Sequence, residues 1–162
     1  MTGSLGVRPE AMTPSAACIA FIKDFEKCRL TAFKPTPNDN WTIGWGATGP
    51  GIKEGLVWTQ EQADRRFEVD LAGFAAQVNK GIAAHTTQGQ FDAMVSLAYN
   101  IGAGGFHAST LRRLHNAADI AGALKEFARW DKQAGVALAG LTRRRRAEAT
   151  MYAARPAETG EA

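Results

Sequence analysis

No apolar stretch of this chain approaches the roughly 20 residues that a membrane-spanning helix needs, so no span is expected. Met1 to Thr13 lacks both a basic leading region and an apolar core, so it does not read as a secretion leader. Synthesis in the cytoplasm follows, and an extracytoplasmic substrate would require some other release route. Cysteine is scarce, with only Cys18 and Cys28. Ten residues apart on a mostly helical stretch, they would stand about 15 Å apart at ~1.5 Å per residue, well beyond the ~7 Å a disulfide tolerates. Free thiols and a reducing compartment are expected. His85, His107 and His115 have no partners at metal-ligand spacing and there is no C-x-x-C motif, so no metal is expected. A phosphate-cradling loop and a dinucleotide fingerprint are also missing, and no cofactor is implied. Charge of one sign barely dominates: 19 Lys and Arg against 16 Asp and Glu give a net +3. That suits an anionic polymer, whether nucleic acid or bacterial envelope, without choosing between them.

What is there is a chain of 162 residues, 45% hydrophobic, enough for a single domain with a real core and room for two lobes. There is no internal repeat and no low-complexity linker, and the first dozen residues and the tail from Arg155 read as frayed ends. Thr13-Pro14 reads as a helix cap and first helical residue, and Cys18, Phe21, Ile22 and Phe25 form an apolar stripe ending near Glu26. The texture then changes. Leu30 to Lys34 and Trp41 to Trp45 are rich in β-formers and flank the turn-rich Pro35-Thr36-Pro37-Asn38-Asp39-Asn40, which predicts a strand, a loop and a strand. Ile52 to Trp58 is a candidate third strand. Everything after Trp58 reads as helix. Thr59 with Gln62 and Thr87 with Gln90 form capping boxes, and a long helix is expected from Thr59 to Asn79. Asn100 and the glycines at 102, 104 and 105 stop the next helix. Ser109 to Asn116, Ile120 to Trp130 and Leu141 to Ala154 are further helical segments. The fold class is therefore α+β: a small antiparallel β-lobe over about 13–58 and a larger helical lobe over about 59–155, with a ligand cleft expected between them.

Glu26 is the first candidate for chemistry. It ends an apolar helical face, beside Phe25, where the negative end of the helix dipole and partial burial both disfavour a charged carboxylate, as a proton donor requires. By position alone a solvent-facing Glu at a helix end is the commoner case. The run Arg143-Arg144-Arg145-Arg146 reads either as part of a site or as a solvated or salt-bridged helix start.

Phe25-Glu26-Lys27-Cys28-Arg29-Leu30-Thr31-Ala32-Phe33, followed by Trp41-Thr42-Ile43-Gly44-Trp45-Gly46-Ala47-Thr48, resembles glycoside hydrolase family 24, the phage lysozymes and endolysins, whose pattern is E-G-x-R-L-x-A-Y and then T-I-G-Y-G-x-T. The likeness continues in order through Gln90 to Gly102, Ser109-Thr110-Leu111, Phe127 to Trp130 and a closing Gly140-Leu141, arginines and Glu148, covering roughly residues 15 to 153. It implies a lysozyme-like fold and a monomeric endolysin acting on bacterial peptidoglycan after release to the periplasm. The implied reaction is inverting hydrolysis of the β-1,4 bond between N-acetylmuramic acid and N-acetylglucosamine. No metal, cofactor, nucleic acid or membrane insertion is implied. Glu26 falls on the family's catalytic acid and Thr42 on the threonine that helps place the attacking water.

The family's third member, an Asp nine residues after the Glu and six before the Thr, is missing: those positions hold Pro35 and Thr36. Asp39 is the carboxylate of a loop one residue longer than usual and is expected to supply the anion from a shifted position. Its competing reading is ordinary Asn-Asp-Asn turn chemistry. Arg143 falls on an arginine that reaches towards the acid, with its register uncertain by one. Trp45, Phe106 and Trp130 are candidate sugar-stacking aromatics, although tryptophan at such spacing is more often core. Asn100 is a candidate rim residue, and Gly44 and Gly46 are expected to let the strand approach the glycan. Cys28 reads as a buried small hydrophobe. Two rivals stay open: a lytic transglycosylase or chitinase on a similar scaffold, and a glycan-binding or phage-structural module that lost activity with its aspartate.

Overall fold

The computed structural model describes residues 10–155; the stretches 1–9 and 156–162, which include most of the segment read for a leader and most of the expected frayed ends, lie outside the described residues. The described residues form two compact units, Ile19–Gly73 and the combination of 10–18 with 74–155. Helices α1 (Ala16–Glu26) and α2 (Gln60–Gly81) each contribute residues to both. The boundary thus falls within α2 and not at residue 58, because the first turns of α2 pack with the hairpin.

In Ile19–Gly73, α1 leads into β1 (Arg29–Phe33), which pairs antiparallel with β2 (Thr42–Gly44) in the registers Arg29 to Gly44 and Phe33 to Thr42. The register shifts between these pairs, the irregularity that extra residues on one strand produce. The expected third strand is only partly realised. Ala32 N–H donates to Leu56 O (2.9 Å) and Trp58 N–H to Leu30 O (2.8 Å), but pairing is confined to the bridge between Thr31 and Val57. Gly49, Gly51 and Gly55 hold positive φ and turn the intervening chain out of an extended path. The small core joins Ala32, Ile43, Ala47 and Ile52, with Trp41, Leu56 and Trp58 packed on it. Residue Thr59 caps α2 as expected, exchanging bonds with Gln62.

The other unit is helical. Helices α3 (Gln88–Ile101), α4 (Ala103–Ala108), α5 (Thr110–Asn116) and α6 (Ile120–Glu126) precede a 3-10 turn at Phe127–Trp130 and α7 (Ala139–Ala153). The stretch from Gln90 to Ala98 is buried throughout, and α7 is its main partner. Ser15, and not Thr13, caps α1: its hydroxyl accepts from Cys18 N–H (3.2 Å) and donates to Asp92 (2.5 Å). Asp92 lies on α3, a tertiary partner that capping rules cannot see. Only Gly102, at φ +95°, interrupts the chain after α3; Gly104 and Gly105 are helical, and a side chain on Gly105 would crowd Ile101 at 3.3 Å and touch Trp130 at 3.6 Å. A short hairpin, β3 (Lys132–Gln133) and β4 (Val136–Ala137), was not expected. No described helix is long and apolar enough to cross a membrane.

The arginine run is part core, part surface. Four consecutive helical residues point around the whole axis, so Arg144 and Arg145 turn inward while Arg143 and Arg146 stay exposed. Glu148 is fully buried between them, taking an ion pair from Arg145 (3.1 Å) and another from Arg144 (3.3 Å), and accepting from Ser96 Oγ (2.6 Å).

Candidate active site

Glu26 is the last residue of α1. Lys27 adopts the left-handed conformation, φ +57°, and its N–H donates to Lys23 O (3.0 Å), which closes the helix and turns the chain into β1. Lys27 stands where the family pattern carries glycine. The other wall comes from the far end of β2, where Ile43 and Ala47 exchange both backbone hydrogen bonds (3.0 and 2.8 Å) and pinch Gly44-Trp45-Gly46 into a closed loop. Both glycines hold positive φ, +65° and +94°. A side chain on Gly46 would begin 2.5 Å from Glu26 Oε1, so the half-buried carboxylate rests on bare backbone. A side chain on Gly44 would meet Trp58 at 3.1 Å. Both glycines were expected to admit the glycan; the groups they admit are the protein's own.

Thr42 is buried, and its hydroxyl donates to Asn40 O (3.0 Å), which leaves its lone pairs to accept. Asp39 is half-buried in the loop. Its N–H donates to Thr36 O (3.0 Å) and its carboxylate accepts from Thr36 Oγ1 (3.0 Å). It lines a cavity of about 360 Å³ with Lys34, Asn40, Trp41, Thr48 and Ile52. The Asp39–Thr36 bond carries no signal in the sequence, yet Thr36 occupies one of the two positions where the family spacing calls for aspartate.

Trp45 is half-buried. Its indole N–H donates to Asp64 Oδ1 (2.9 Å), Lys23 Nζ lies 5.0 Å from its ring centre, and Phe67 meets it edge-on. The Trp45 and Gln60 hydrogen bonds hold the Asp64 carboxyl below its ordinary range. Cys28 is half-buried, a correction to the buried reading, and accepts from Gln60 Nε2 (3.7 Å). Both cysteines are free thiols, and burial pushes Cys18 up to about 12.

The remaining candidates belong to the helical unit. Phe106 is fully buried against the backbone of Gly81, so the sugar-facing expectation fails: it has no surface to offer. Trp130 is half-buried over Gly105, Asn100 is exposed and its amide oxygen accepts from Arg145, and Arg143 is exposed on α7. Among the described residues, no group of three or more His, Cys, Asp or Glu is arranged to hold a metal.

The phage lysozyme family model matches residues 23–148. The chain is 39% identical over 142 residues to an endolysin of Bacillus phage PZA, an alignment covering 87% of this chain and 55% of that protein. The chain therefore spans about half the length of the first such relatives. It is also 38% identical to an endolysin of Acyrthosiphon pisum secondary endosymbiont phage 1, covering 83% of this chain and 93% of that one. Among solved structures it resembles the endolysin from Escherichia coli O157:H7 phage FAHEc1 (36% identity, TM-score 0.78, 90% and 96% covered). It also resembles the muramidase domain of SpmX from Asticaccaulis excentricus (34%, 0.77, 87% and 97%). The order of elements, the hairpin that follows Glu26 and these likenesses agree: the chain belongs to the phage lysozyme family and has the lysozyme-like α+β fold.

Proposed function

We propose that this chain is an endolysin that hydrolyses the β-1,4 bond from N-acetylmuramic acid to N-acetylglucosamine in bacterial peptidoglycan, acting as a monomer on the cell wall of a lysing host. The observation that carries the reading is the Glu26 carboxylate laid on the bare backbone of Gly46 at the end of α1, in a hairpin of the family's pattern. A proton donor held in a fixed, half-dry position is what glycosidic cleavage needs first. Glu26 gives its proton to the leaving oxygen as the sugar gains oxocarbenium character.

Thr42, with its hydrogen committed to Asn40 O, accepts from the attacking water and so orients a lone pair of that water towards the anomeric carbon. Asp39 supplies the anion that takes the water's proton. Support comes from its bond to Thr36, which brings its carboxylate within 3.0 Å of a side chain at the position the family gives to aspartate. An inverting enzyme separates its two carboxyls by about 6.5–9.5 Å to admit that water. Asn100, Trp130 and Arg143 are proposed to meet glycan or stem peptide, and Trp45 is proposed to shape the site next to the acid.

Digestion of purified peptidoglycan tests this. Mass spectrometry should find reducing muramic acid ends, and proton NMR should find the α-anomer appearing first. Anhydro-muramic ends would make the chain a transglycosylase, and an intact polymer would make it a binding module. In the same assay Asp39→Ala should lose about a hundredfold or more in rate; retention of most activity would remove Asp39 from the mechanism.

A further inference from the structure

We propose that Asp64 on α2 is a positioning residue for the proton donor, acting through Trp45 and Gly46; the inference rests on Glu26 being that donor. Two side chains donate to this one carboxylate, Trp45 from the loop after β2 and Gln60 from one turn earlier on α2. Trp45 N–H and Gln60 Nε2 both donate to Asp64 Oδ1, each at 2.9 Å. Gln60 Nε2 also lies 3.7 Å from Cys28 Sγ, two residues beyond Glu26. Lys23, one helical turn before Glu26, sets its ammonium 5.0 Å from the ring centres of both Trp45 and Phe67.

The loop beneath Glu26 is thus tied directly to this anion, the chain just after Glu26 reaches it through Gln60, and the turn before Glu26 reaches it through the Trp45 ring. The loop is the sensitive part. Trp45 and Gly46 are neighbours in a three-residue loop pinned at Ile43 and Ala47, so a rotation of the indole away from Asp64 turns the peptide on which Glu26 rests. Gly46 has positive φ and no side chain to resist that turn. Without the Asp64 anchor the carboxylate keeps its identity and exposure but loses its fixed direction, and displacement of a reacting group by about 1 Å costs on the order of a hundredfold.

The test uses the full chain on soluble glycan strands, with Asp64→Ala, Asp64→Asn, Trp45→Phe and the Asp64→Ala/Trp45→Phe pair. Asp64→Ala should lower kcat about tenfold with KM within about twofold, and should move the alkaline limb of the pH–kcat profile, which reports the proton donor. Trp45→Phe removes the same N–H and should do likewise. The double variant should be no worse than either single one, because both break one link. Asparagine retains an oxygen that accepts from the indole, so Asp64→Asn should recover kcat to within about threefold. The proposal is overturned if Asp64→Ala keeps the wild-type kcat and pH profile, or if its loss only follows a reduced folded fraction measured by circular dichroism. Glu26→Gln run alongside separates the two ideas. An active Glu26→Gln sinks the donor assignment itself, whereas an inactive one with an unaffected Asp64→Ala sinks only the positioning role.

Discussion

In the helical unit, Arg144, Arg145 and Glu148 are folded into the core and answer one another, and Ser96 completes the set. In Ile19–Gly73 the carboxylate of Glu26 stays half-exposed and lies against the bare backbone of Gly46. The same residue types therefore do different work. A buried, mutually paired charge specifies packing, and its loss is felt as instability. A half-buried carboxylate on a glycine shelf contributes little to packing, and the proposed function predicts that its loss is felt in rate. The comparison separates two sets of variants that sequence inspection alone would rank together.

The sharpest way to break it is Glu148→Ala. Removing the shared anion leaves two guanidinium groups buried without their partner, and the expected cost is about 3–5 kcal/mol, read as a lower urea midpoint; a loss under about 1 kcal/mol would mean that the charges contribute nothing to the core.

Next is His115, buried between Thr86 and Tyr152. Thr86 Oγ1 donates to Ala84 O, so the ring donates to Thr86 through Nε2 and accepts from Tyr152 through Nδ1, which is the neutral form. Burial, with His85 adding to it, lowers this histidine from 6.5 to about 4. Between those values the unfolded chain binds a proton that the folded chain does not, so stability present above about pH 6.5 is lost as the pH falls towards 4. The loss should be about 2–4 kcal/mol, and His115→Gln should flatten that slope in urea titrations at pH 4.5 and 7.

In the hairpin unit, Gly46→Ala must place a methyl group 2.5 Å from Glu26 Oε1 and adopt φ +94°. Activity should fall about 10- to 100-fold, with a stability loss of only about 1–2 kcal/mol. If melting temperature and rate fall together in strict proportion, the glycine is structural. The smallest effect is a gain: Lys27→Gly relieves a left-handed lysine at φ +57° and should raise stability by about 0.5–1 kcal/mol in calorimetry.

The capping boxes at Thr59 and Thr87, the hairpin and the helical remainder were legible because each depends on neighbours in sequence. Ser15 as the cap of α1, the inward turn of Arg144 and Arg145 and the burial of Phe106 depend on partners tens of residues away, which propensity does not encode. Pattern marks Glu26 and Thr42 as the candidates for the chemistry. The Thr36–Asp39 bond and the reference of Trp45 to Asp64 were not legible, because nothing in the spacing of residues 36, 39, 45 and 64 marks them as neighbours. Gly46 was recognised as a point of close approach, but its partner was not.

The most direct measurement is the release of reducing ends from purified peptidoglycan by Glu26→Gln, a change that keeps the side chain's shape while removing the transferable proton. The account predicts a rate lowered at least about a hundredfold with the wild-type melting temperature retained. A Glu26→Gln variant that cleaves the polymer at the wild-type rate would contradict it.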